Sequence, residues 1–92
     1  MKQVSDLKPG DKIYDLEYMQ VKWYTYFCVH PKHSNYHILI DAAEEPIRVY
    51  GPKLQMILDQ GFNSYDDVLL ALANRMEEQA RVIKIELAMK GK

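Results

Sequence analysis

Apolar and polar positions alternate with a period of two from Lys12 to Tyr18. Tyr14, Leu16 and Tyr18 fall on one face and Asp15 and Glu17 on the other, the pattern of a half-buried strand. A second strand is predicted over Val21–Val29, where Trp23, Tyr24, Thr25, Tyr26 and Phe27 are nearly all aromatic or β-branched. Both of its faces are apolar or aromatic, so it is expected to be central, covered twice, with Trp23 buried. Pro31 to Asn35 reads as a turn, Tyr36 to Asp41 as a third strand, Ala42 to Pro46 as another turn and Ile47 to Tyr50 as a short fourth strand. Gly51-Pro52 closes the sheet region, because proline has no N–H for a ladder.

Helical spacing begins after Pro52, with Leu54, Ile57 and Leu58 as one apolar stripe. Gly61 is placed to end that short helix with a positive φ, and Phe62 to fold back onto Ile57. Asn63 or Ser64 caps the next helix, with Asp66 and Asp67 in its first turn. Leu69, Leu72, Met76, Ala80, Ile83 and Leu87 recur at spacings of three and four and form its expected core stripe. Residues 81–90 also fit a strand, since Ile83, Ile85, Leu87 and Met89 alternate with Lys84, Glu86, Ala88 and Lys90. No turn signal separates Met76 from Arg81, and Glu, Gln, Ala and Met favour helix, which supports one long helix. Val82, Ile85 and Met89 then form a second stripe well round from the first. A helix apolar on two sides needs a second partner.

The fold class is therefore α+β: one domain over 1–92, a four-stranded antiparallel curled sheet over about 12–50, then a short and a long helix over about 53–90 that cover one face. Leu7-Lys8-Pro9-Gly10-Asp11, a turn followed by short strands, resembles the lead-in of SH3-like small barrels. That resemblance implies a curled or closed small sheet and brings no functional residues with it.

Charge narrows the choice of partner. Twelve basic side chains against thirteen acidic ones leave a formal net charge of −1. Nucleic-acid binders usually carry a basic excess, since counterion release from phosphate drives their affinity. Only the tail is locally basic, through Arg81, Lys84, Lys90 and Lys92 against Glu86. Such cations also suit the negative end of a helix dipole. No apolar run approaches the roughly 20 residues needed to cross a bilayer, and the polar stretch from Met1 to Asp6 lacks the apolar centre of a signal peptide. With one cysteine and no disulfide framework, the expected location is the cytoplasm.

Two clusters bear on chemistry. His30, His33 and His37 lie within eight residues, just after Cys28, and thiolate with imidazole is a zinc ligand set. Their spacing matches no common zinc motif, so no metal or cofactor is expected. Histidines suit a polar turn, and Cys28 reads as a small buried hydrophobe. The second cluster is aromatic. Tyr18, Tyr24, Tyr26 and Tyr36 are candidates for a binding face, against the alternative that the aromatics are cross-strand packing.

Catalysis finds little support. There is no glycine-rich phosphate loop and no nucleophile elbow. Burial in an apolar strand would keep Cys28 a thiol. The neighbouring carboxylates Glu44-Glu45, Asp66-Asp67 and Glu77-Glu78 point apart along their backbones. The expectation is a non-enzymatic protein-interaction module, self-associating as a homodimer or a subunit of a larger assembly, with Val82, Ile85 and Met89 at the interface. The rival is a nucleic-acid-binding accessory protein that uses the aromatic sheet and the basic tail.

Overall fold

The computed structural model describes residues 2–91; Met1 and Lys92, the outermost residues of the polar start and the basic tail, lie outside it. Strands β1 (Lys12–Glu17), β2 (Gln20–Val29), β3 (Tyr36–Asp41) and β4 (Pro46–Tyr50) form one antiparallel sheet in chain order. Helices α1 (Gly51–Leu58) and α2 (Tyr65–Lys90) follow. The α+β class and the four-strand, two-helix order match the sequence pattern, and residues 81–90 are helix. The sheet is open, with β1 and β4 as edges, so the barrel closure that the Leu7–Asp11 turn suggested is absent.

Strand β2 is central, as its two apolar faces required. The β1–β2 hairpin pairs Glu17 with Gln20 and turns through only Tyr18 and Met19. Tyr18 takes φ 58°, an uncommon conformation for a bulky side chain. It belongs to the turn and not to the strand. In the pairing of β2 with β3 the register slips between Tyr26 and Cys28, a bulge that leaves Phe27 exposed.

Leu7, Ile13, Tyr26, Leu39, Val49, Leu54 and Ile57 form the main core, between one sheet face and α1. Leu39 and Leu54 are wholly buried. The N-terminal segment is tied to α1 by Gln55, whose Oε1 accepts from Val4 N at 3.0 Å and whose Nε2 donates to Lys2 O at 3.1 Å. Pro52 sits in the first turn of α1, and Gly61 beyond its end has φ 79°.

After α1 the chain passes the β1 edge and reaches the other sheet face. There Tyr65, in the first turn of α2, lies beside Lys12, Tyr14 and Trp23. The Lys12 ammonium stands 5.0 Å from the Trp23 ring centre. Trp23 is half-buried on this face, not buried in the core as its strand suggested. Coverage of both faces also corrects the reading of β1. The alternation puts Asp15 on the side opposite Leu16, yet it shares the Ile13 side and is buried, while Leu16 is buried as well.

Ser64 caps α2, its Oγ accepting from Asp67 N at 3.2 Å. Within this helix only Val68 is fully buried, with Ala71 and Leu72 partly covered one turn on. Arg75 then donates from Nη1 to the carbonyl oxygen of Tyr18, tying the helix to the hairpin tip. From Ala73 to Lys90 every residue is exposed. The predicted core stripe is thus wrong: Leu69, Met76, Ala80, Ile83 and Leu87 face solvent, and the long helix covers the sheet only with its first turns. The molecule is correspondingly elongated, 61 × 27 × 23 Å, with a radius of gyration of 17.1 Å. A compact chain of this length would have about 12 Å.

Candidate interaction surface

Helix α2 is about 39 Å long at 1.5 Å per residue, and its second half stands clear of the domain. Ile83 is 56% and Leu87 64% exposed, and Met76, Val82, Ile85 and Met89 are exposed to a similar degree. At 3.6 residues per turn these side chains fall into two stripes roughly 160° apart. The longer holds Leu69, Met76, Ala80, Ile83 and Leu87. The shorter holds Val82, Ile85 and Met89, the residues marked as an interface from sequence. Gln79 and Glu86 separate the stripes on one side, and Glu77, Arg81 and Lys84 on the other. Single exposed apolar residues are ordinary, but contiguous large ones along a free helix signal a contact surface.

The four tyrosines proposed as a binding face do not share one. Tyr26 is buried, and its hydroxyl meets Nδ1 of His37 at 2.9 Å. Tyr24 packs against the same core. Tyr36 points to the opposite face, 5.3 Å from Tyr50 between ring centres, with the Arg48 guanidinium 5.2 Å from its own ring. Tyr18 is at the hairpin tip. On the outer face the Trp23 and Tyr36 rings each have a cation of this chain beside them.

The histidines and the cysteine likewise have separate surroundings. His37 is buried against Tyr26, and desolvation lowers its pKa from the ordinary histidine value. His30 Nδ1 accepts from the backbone N–H groups of Lys32 and His33, at 3.1 and 3.2 Å, which organises the β2–β3 turn. His33 stacks at a tilt on His30. Cys28 pairs with Ile38 in register, so it lies on the face opposite His37. Among the described residues no three His, Cys, Asp or Glu side chains converge in a metal-binding group.

No pattern in the sequence marks Asp15 as a special group. Burial raises its pKa, with Glu17 adding to the effect, while Lys22, Gln60 and Lys53 partly offset it. Its register partner is Lys22, which binds Glu17 at 2.9 Å. No described helix is long and apolar enough to cross a membrane. Comparison with protein-family models, with curated proteins and with solved structures found no match.

Proposed function

We propose that this chain is a non-enzymatic interaction module that associates with a second copy of itself through the projecting half of α2. The observation that carries this reading is the exposure of Met76, Ile83 and Leu87 with Val82, Ile85 and Met89 on a helix that the sheet abandons after Arg75. Fully burying a large aliphatic side chain is worth roughly 1.5–3 kcal/mol. A two-fold pair covers the same patch on both copies at once. Burial is the first cause of the shifts at Asp15, Tyr24, Tyr26 and His37, and the Lys22–Glu17 ion pair is the first cause at its two members, so each shift has a structural origin. The nucleic-acid reading has less support: the tyrosines are divided between faces, and the basic residues of α2 alternate with Glu77, Glu78 and Glu86.

Sedimentation equilibrium of the full chain, from about 1 to 200 μM, tests this. The expected result is a reversible monomer–dimer equilibrium in the micromolar range. A chain that remains monomeric throughout would refute it.

A further inference from the structure

Resting on that self-association, we infer that two α2 helices pair antiparallel along the longer stripe from Ala73 to Leu87, with Glu77 of each copy facing Lys84 of the other. Leu69, Met76 and Ile83 recur every seven residues, and so do Ala73, Ala80 and Leu87. A repeat of seven is the geometry of a helix–helix seam. The first series is large throughout, and the second is small at two of its three places.

That asymmetry separates the two orientations. In a parallel pair each residue meets its own copy, so Ala73 and Ala80 would each form a layer of two small side chains between layers of two large ones. In an antiparallel pair the series meet each other: Ala80 packs against Ile83 of the partner, and Met76 against Leu87 of the partner. No layer is then made of two alanines, and large fills against small, as close packing demands.

Charge on the flanks points the same way. Leu70, Glu77 and Lys84 follow the large series by one residue, and Leu72, Gln79 and Glu86 precede the small series by one. In a parallel pair these two flanks face each other, which puts Glu77 beside Leu72 and Lys84 beside Gln79. In an antiparallel pair each flank faces its own counterpart, so Glu77 meets Lys84 of the partner twice across the two-fold axis. The overlap runs from Ala73 to Lys90, about 27 Å. The last tie from each sheet to α2 is at Arg75, so the two sheets lie at opposite ends of the pair. The Val82, Ile85 and Met89 stripe spans only about 10 Å and stays on the outside of the pair.

The test is a charge exchange read by sedimentation equilibrium on the full chain, with circular dichroism to confirm equal helix content. Glu77→Lys and Lys84→Glu each place like charges at both contacts, and each is expected to weaken association about tenfold. The double variant restores opposite charges and is expected to return to within about threefold of the original. Single variants that weaken association without rescue in the double, or that leave it unchanged, overturn the antiparallel register while self-association stands. A wild-type chain that never dimerises removes the underlying reading instead.

Discussion

The side-chain amide of Gln60 closes on both backbone groups of Leu16: its Oε1 accepts from Leu16 N at 3.2 Å and its Nε2 donates to Leu16 O at 3.1 Å. Leu16 belongs to the edge strand β1, whose outward N–H and C=O groups have no ladder partner. One glutamine thus stands in for one residue of a fifth strand. Unpaired edges are templates for unwanted pairing, and covering them is a general defence.

Replacing Gln60 with Ala should cost about 1–2 kcal/mol, since it strands two partly buried backbone groups. Urea unfolding would show the loss. Gln60→Glu should be worse near neutral pH. A carboxylate cannot donate to Leu16 O, and it would add negative charge beside the buried Asp15. An unchanged urea midpoint in both variants would show that water satisfies the edge equally well.

Two buried titratable groups give opposite dependences on pH. The folded pKa of His37 lies below its unfolded value, so the unfolded chain binds the extra proton more readily. Its neutral form favours the fold above the ordinary histidine range, and stability should fall as the pH drops below about 6.5. The folded pKa of Asp15 lies above its unfolded value, so the native state holds that proton more tightly. Its contribution is present at low pH and is lost as the pH rises through the unfolded and then the folded value. Asp15→Asn should therefore raise the urea midpoint at pH 7 relative to wild type, with the difference vanishing near pH 3. His37→Phe should flatten the profile between pH 7 and 5.5. A wild-type profile flat over that interval would contradict the role given to His37.

Gly61 offers a backbone test. Its φ of 79° suits glycine, and a Cβ built there would meet nothing within 4 Å. Gly61→Val should therefore cost about 1–2 kcal/mol through left-handed strain alone. Gly61→Asn should recover much of that, because asparagine tolerates this conformation better. Equal losses in the two variants would point to a steric cause instead.

Much of this fold is legible in the sequence, because local chemistry decides it. Period-two patterning places β1, a run of aromatic and β-branched residues places β2, turn signals bound β3 and β4, Pro52 opens α1, Gly61 follows it, and Ser64 caps α2. What was not legible depends on which surfaces meet. Asp15 looks like a solvent-side residue until the chain is seen to wrap the β1 edge and leave both faces covered. Leu69, Met76 and Ile83 have the spacing of a core stripe, but spacing states only that a face is apolar. Here the sheet is too narrow to follow a helix of 26 residues. Tyr26 and Tyr36 are the same residue type in neighbouring strands, and only register sends one to the core and the other outward. Gln60 carries no pattern at all.

The projecting half of α2 carries the last prediction. A helical segment of this length without tertiary support is only marginally stable in water. Arg75 marks the last tie to the sheet, so amides beyond it depend on the helix alone or on a partner. In dilute solution, backbone amides from about Glu77 to Met89 should exchange with deuterium close to the rate of an unfolded chain, while β2 and β3 stay protected. At concentrations where pairs form, the same helical amides should slow by roughly the ratio of dimer to monomer, since association removes the frayed state. Ile83→Asp, in the middle of the longer stripe, should abolish that concentration dependence and leave the sheet amides unchanged. Ile85→Asp, on the shorter stripe, should preserve it. The reverse pattern would move the seam to Val82, Ile85 and Met89. Protection of Glu77 to Met89 independent of concentration would mean that the helix is held by its own domain, and would remove the physical basis for pairing through it.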